Sequence, residues 1–246
     1  MPNSNEKTYA LFSTPTNKKI IAALEEKGAK VFQFPPLETE KTVLNEKSIS
    51  RIKNLNAFDW VIFPDVLTVD YFLQILEENE VDSFDMDSVL VCAFGEAVAD
   101  RLRFVQLHAD IISTSIEAAQ VFPALSDYIG KDELNKMKFL LPREVSLDYE
   151  IKIRLLETGA EVVELPIYEA KILKTDEITK LKILLEGGAI DEFIFSSPTD
   201  LIAVKLYFDN NEIPAILSEI NVSTIDRNMF QTLKDHNLKP QYLRLQ

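Results

Sequence analysis

The chain repeats itself. Leu24-Glu-Glu-Lys-Gly-Ala-Lys-Val31 aligns with Leu155-Leu-Glu-Thr-Gly-Ala-Glu-Val162, so that Gly28 falls on Gly159 at an offset of 131. Both segments then run through a proline, Pro35 and Pro166, to a glutamate, Glu38 and Glu169. Phe58-Asp-Trp-Val-Ile-Phe63 aligns with Ile190-Asp-Glu-Phe-Ile-Phe195, and Asn79-Glu-Val81 with Asn211-Glu-Ile213, both at an offset of 132. Three matches in one order at nearly one offset mark an internal duplication, so whatever unit the chain folds into occurs twice.

The unit itself is legible from periodicity. Short apolar runs read as strands at Tyr9–Ser13, Lys30–Phe34, Trp60–Phe63, Val89–Phe94, Phe139–Leu141, Glu161–Leu165, Phe193–Ser196 and Ile216–Val222. Amphipathic stretches read as helices at Thr16–Lys27, Val66–Glu78, Glu96–Phe104, Ile116–Ile129, Asp148–Glu157, Asp176–Glu186, Thr199–Asp209 and Asp226–His236. Gly28 stands just past the first helix, where a C-cap is expected. Strands alternating with helices require right-handed crossovers, hence an α/β fold: two similar lobes, each a parallel sheet flanked by helices. Pro35-Pro36 and Pro166 each follow a strand and favour extended backbone, so they read as two connectors between the lobes.

Composition closes off other classes. The net charge of −14 repels nucleic acid and anionic membranes, so neither is expected as a partner. No apolar run approaches the ~20 residues of a membrane span, and the polar opening Met1–Lys7 lacks the apolar stretch of a signal peptide. The single cysteine, Cys92, lies in an apolar run, which makes it a core residue and fits a reducing, cytoplasmic setting. With two distant histidines and that one cysteine, no metal site is expected. The six glycines form neither G-x-G-x-x-G nor a P-loop, so no nucleotide cofactor is expected. Nothing signals assembly, and a monomer is the default.

A strand, a helix closing on Leu-x-x-x-Gly-Ala, a second strand and an extended exit through proline resemble the uroporphyrinogen-III synthases. Gly159-Ala-Glu-Val-Val-Glu-Leu-Pro-Ile-Tyr168 is similar to that family's G-a-x-V-x-x-x-x-x-Y segment, and Asp191-Glu-Phe-Ile-Phe-Ser-Ser-Pro198 to its D-x-x-x-F-T-S-P segment. The resemblance implies one discontinuous lobe, residues 1–36 with 171–246, and an inserted lobe, residues 37–170. It implies that a linear tetrapyrrole, hydroxymethylbilane, is cyclised to uroporphyrinogen III with loss of water. The last pyrrole ring is inverted through a spiro intermediate, without cofactor. The site implied is a cleft between the lobes.

Within that resemblance Tyr168 is the family's cleft tyrosine, assisting departure of the substrate hydroxyl. A phenol with an ordinary pKa of about 10 holds its proton at neutral pH and needs no tuning for such a role. The bland alternative is a tyrosine that packs its ring against a connector. The substrate class carries eight carboxylates, and helix N-termini offer free amides to such groups. The loops expected to supply them hold Thr14, Thr16, Arg143, Ser146, Ser196, Ser197, Ser223 and Thr224, with Arg143 adding a charge-assisted contact after a strand end. Each has an ordinary structural role as well: Ser197 before Pro198 is a helix start signal, with Asp65 at the equivalent point of the first copy, and a loop arginine is usually solvated. His108 and His236 stand just after helices, where the helix dipole favours a cation.

The chain also departs from the family pattern. Pro64-Asp65 stands where Thr-Ser is usual. Gly95-Glu-Ala-Val98 and Ser223-Thr-Ile-Asp226 stand where Gly-x-x-Thr is usual, and Ser13-Thr14 replaces a common arginine. Carboxylates at Asp65, Glu96 and Asp226 on helix starts would compete for the amides. Each like-charge contact at ~4 Å costs up to ~4 kcal/mol before screening. A second reading follows: a relative that keeps the fold and serves as a binding or regulatory module. An unrelated two-lobed receptor, the third, is the kind usually secreted, and no secretion signal is seen.

Overall fold

A computed structural model of the chain describes residues 7–14, 17–113, 118–145, 150–171, 176–208, 215, 217–225 and 227–243. The chain enters through β1 (Thr8–Phe12), α1 (Lys18–Glu26), β2 (Lys30–Phe34) and β3 (Glu38–Lys41). It continues with α2 (Glu46–Ile52), β4 (Trp60–Phe63), α3 (Val66–Glu78), β5 (Leu90–Ala93), α4 (Gly95–Phe104) and β6 (Ile111–Ile112). Next come α5 (Ala118–Ile129), β7 (Lys138–Glu144), α6 (Glu150–Glu157), β8 (Glu161–Lys171) and α7 (Asp176–Glu186). It closes with β9 (Glu192–Phe195), α8 (Pro198–Phe208), β10 (Asn221–Thr224), α9 (Arg227–Asp235) and β11 (Pro240–Tyr242).

These elements make two units, residues 1–38 with 171–246, and residues 39–170. The first holds a five-stranded sheet in the order β11-β10-β9-β1-β2, parallel throughout. The second holds a six-stranded sheet in the order β3-β8-β7-β4-β5-β6, parallel from β8 to β6. The repeat is visible in the elements: β4 and β9 lie 132 residues apart, both are four-residue strands, and both are buried along their length. Strands with helices on both faces have no solvated side, which is why these runs are apolar without alternation.

In the second unit alternate strand residues feed two layers. Trp60, Ile62, Cys92, Phe139 and Leu141 pack against Val121 and Leu125 of α5 and Ile151 and Leu155 of α6. Val61, Phe63, Val91 and Leu140 pack with Val69, Phe72 and Ile75 of α3 and Val98 and Leu102 of α4. In the first unit Leu11 and Ile194 pack against Ile20, Ile21 and Leu24, the apolar stripe of α1.

Several expectations need correction. The last inner strand is Asn221–Thr224 rather than Ile216–Val222: Leu217 is helical and buried, and the strand is the polar-looking Asn-Val-Ser-Thr that follows. Ser223 and Thr224 are therefore strand residues, paired with Ile194 and Phe195, and not loop residues. Arg143 likewise lies inside β7, which runs to Glu144. Pro166 does not end its strand. It stands opposite Arg143, and the next pair is Glu144 with Tyr168, so Ile167 is an extra residue on β8. Proline lacks the N–H of a regular ladder and is tolerated at such a bulge. The bulge changes the alternation: Val163, Leu165 and Ile167 are buried, and then Tyr168 and Ala170. Tyr168 thereby joins Ile167 in the layer packed on α3.

Candidate functional site

In open parallel sheets ligands bind beyond the C-terminal strand ends, where the strand order reverses. Each unit has one such point. In the first, β1 leads to β2 on one side while β9 and β10 lie on the other, so the reversal falls between β1 and β9. In the second, β4 leads to β5 and β6, with β7 and β8 on its other side, so it falls between β4 and β7.

At the reversal of the first unit stand Thr14, after β1, and Ser196 and Ser197, after β9, with Ser223 and Thr224 ending the neighbouring β10. Thr14 turns the chain, its amide donating to the Phe12 carbonyl at 2.9 Å and its carbonyl accepting from the Asn17 amide at 3.1 Å. Ser196 and Ser197 are held by Asp200 in the first turn of α8. One carboxylate oxygen accepts the Ser196 amide at 2.7 Å, the Ser196 hydroxyl at 2.6 Å and the Ser197 amide at 3.1 Å. Asp200 is 2% exposed, and burial raises its pKa while those donors pull it down. Ser223 and Thr224 are fully buried, and the Ser223 hydroxyl has no hydrogen-bond partner among the described residues. Thr16 and Ser146 lie outside the described residues, as does Asp226.

Sequence reasoning missed Asn17. It is fully buried at the start of α1, its Nδ2 donates to the Phe12 carbonyl at 2.8 Å, and its Oδ1 has no partner among the described residues. Only its place before a helix could have marked it.

At the reversal of the second unit stands Asp65, which begins α3. Its Oδ1 accepts the Thr68 amide at 2.7 Å, the cap expected from an aspartate at this position. Its Oδ2 accepts the hydroxyl of Tyr168 at 3.2 Å, across 103 residues of chain. Tyr168 is fully buried, and Tyr71 of α3 stacks on it with ring centroids 5.1 Å apart and planes 13° apart. Tyr71 in turn shares a 2.7 Å hydrogen bond with Thr39. Aspartate, two tyrosines and a threonine thus form one connected group that sequence alone could not assemble.

Arg143 is turned to its own unit. Its Nη1 donates to the carbonyls of Glu144 at 2.7 Å and Val145 at 2.8 Å. Its Nε lies 2.7 Å from the Glu164 carboxylate but off the N–H axis, so that contact is ionic rather than a hydrogen bond. On α4 the Gly95 amide donates to the Ser113 hydroxyl at 3.1 Å, and the Glu96 carboxylate pairs with Arg103 at 2.8 Å. His236 departs from the expected cation: it is held neutral, its pKa pushed down to about 3 by burial and by the Lys205 ammonium. The dipole's pull on a cation is weaker than that desolvation. Among the described residues no group of three or more His, Cys, Asp or Glu could hold a metal, and no helix is long and apolar enough to cross a membrane.

The family model for uroporphyrinogen-III synthase HemD matches residues 18–243. The chain belongs to the uroporphyrinogen-III synthase family. Its fold is that of the uroporphyrinogen III synthase of Thermus thermophilus, an extremely thermophilic bacterium. A crystal structure of a mutant of that enzyme has a TM-score of 0.68 at 16% identity, covering 97% of this chain and 94% of that one. The wild-type enzyme in a second crystal form has a TM-score of 0.65 at 18% identity, covering 97% and 93%. No curated protein matches the chain. Of the expected site residues, Tyr168 and Arg143 belong to the second unit. Thr14, Ser196, Ser197, Ser223 and Thr224 belong to the first.

Proposed function

We propose that the chain is a uroporphyrinogen-III synthase, a cytoplasmic monomer that cyclises hydroxymethylbilane to uroporphyrinogen III without a cofactor. The observation that carries this reading is the family match over residues 18–243, nearly the whole chain. In the reaction the C–O bond of the terminal hydroxymethyl group breaks, and the hydroxyl leaves as water with a proton from Tyr168. The carbon so activated is attacked by the last pyrrole ring, which is inverted through a spiro intermediate. The proton that this ring loses on closure restores the phenol, so the balance is substrate to product plus water.

Binding falls to the segments that follow β1 and β9, where Thr14, Ser196 and Ser197 offer hydroxyls or amides to the substrate's carboxylates. Arg143 supplies the charge-assisted contact.

A second reading, a non-catalytic relative that binds or regulates, has specific support. The Tyr168 hydroxyl donates to Asp65, and the amides of Ser196 and Ser197 donate to Asp200. Those donors are the ones the reaction needs. Making hydroxymethylbilane in situ and comparing the chain with Tyr168→Phe separates the readings. The synthase reading expects conversion by the parent chain and slower conversion by the variant; equal rates contradict the role of Tyr168.

A further inference from the structure

Resting on the reading of Tyr168 as the proton donor, we infer that Asp65 restrains that donor and sets the rate at which the phenol can serve the substrate. A phenol has one proton, and here it is directed at Asp65 Oδ2, 3.2 Å away. The carboxylate cannot turn aside freely, because its other oxygen is fixed by the Thr68 amide at 2.7 Å. Nor is the ring free to swing: the Ile167 bulge aims it at α3, and Tyr71 stacks against it while tied to Thr39. An ionised carboxylate is a stronger acceptor than the neutral hydroxyl of a leaving group. The substrate therefore competes with Asp65 for the phenol's proton, and in a buried site that competition favours Asp65.

Capping alone does not call for a carboxylate. Serine and asparagine cap a helix about as well as aspartate, so the contact of Asp65 with Tyr168 is separable from its work for α3. Asp65→Ser keeps a hydroxyl for the Thr68 amide and withdraws the charged acceptor from the phenol. Asp65→Asn keeps the size and the cap, and its amide N–H faces the phenol oxygen, so the phenol must point its proton elsewhere. Both variants release the donor.

The test is the steady-state rate of type III isomer formation for the parent, Asp65→Ser, Asp65→Asn, Tyr168→Phe and the double variant Asp65→Ser/Tyr168→Phe. Trp60 fluorescence on unfolding checks that the second unit of each variant is folded. Loss of a hydrogen bond to a charged group is expected to raise kcat by about tenfold in both single Asp65 variants, with KM within about twofold. The gain disappears in the double variant, which a merely structural role for Asp65 does not predict. If the parent forms only the type I isomer, appearance of type III with either Asp65 variant carries the same meaning. If neither variant is faster while Tyr168→Phe is slower than the parent, Asp65 does not restrain the phenol and the reading of Tyr168 stands. If Tyr168→Phe matches the parent, that reading falls and the inference with it.

Discussion

Asp200 accepts both the amide and the hydroxyl of Ser196, at 2.7 and 2.6 Å, and so closes the turn that precedes its own helix. The corresponding helix of the other copy is capped at the same N-terminal end but by the preceding residue: Asp65, before α3, accepts the amide of Thr68, three residues on. The two copies have placed one carboxylate on either side of the same kind of cap, which are the two halves of a capping box. In both, the carboxylate belongs to the chain and occupies donors that an anionic ligand also seeks.

Removing the Asp200 carboxylate leaves the amides of Ser196 and Ser197 and one hydroxyl unpaired beside a buried position. Asp200→Ala is expected to destabilise the first unit by about 2–4 kcal/mol, with Asp200→Asn losing less. Urea unfolding followed by far-ultraviolet circular dichroism measures this. A loss under ~0.5 kcal/mol would show that water or the backbone replaces the carboxylate readily.

Tyr168→Phe keeps the ring on Tyr71 and strips the Asp65 carboxylate of a donor. The expected cost is about 1.5–3 kcal/mol, because the hydrogen bond is to a charged group. The chain's single tryptophan, Trp60, lies fully buried in the same unit and reports its unfolding. An unchanged midpoint would mean that the hydrogen bond adds nothing to folding.

How much of this group was legible beforehand differs from residue to residue. Asp65 as a cap followed from the repeat, which sets it at the point equivalent to Ser197, and β2, β4, α3 and α7 have the bounds read from periodicity. The contact of Asp65 with Tyr168 was hidden, because it depends on one extra residue at Ile167 that turns the tyrosine to the other face of its strand. No propensity scale registers a single-residue bulge. The elements β3, β6 and β11 escaped because they are two to four residues long, and α2 because its seven residues are largely polar. β10 was misplaced because its Ser223 and Thr224 are polar yet wholly buried.

His236 makes stability depend on pH. Its pKa is about 3 when folded and about 6.5 when unfolded, so below pH 6.5 the unfolded chain binds the extra proton. The stabilisation is complete above pH 6.5 and is lost as pH falls toward 3, at up to about 1.4 kcal/mol per pH unit. Asp200, raised by burial, contributes the opposite slope at acid pH. His236→Leu is therefore expected to flatten the fall of the urea midpoint between about pH 7 and 5. Parallel profiles for variant and parent would exclude His236 as the source.

Cys92 is fully buried, and burial pushes its thiol up to about 12. Thiolate is the reactive form, so the native chain is expected to resist iodoacetamide at about pH 8 and to react in denaturant. Rapid native labelling, read by mass, would show that the second unit opens locally.

The synthase reading itself is tested most directly by separating the oxidised porphyrin isomers formed from hydroxymethylbilane made in situ. The account predicts that the type III fraction rises in proportion to the amount of chain added. A product that stays type I at every concentration, as spontaneous closure gives, would contradict it.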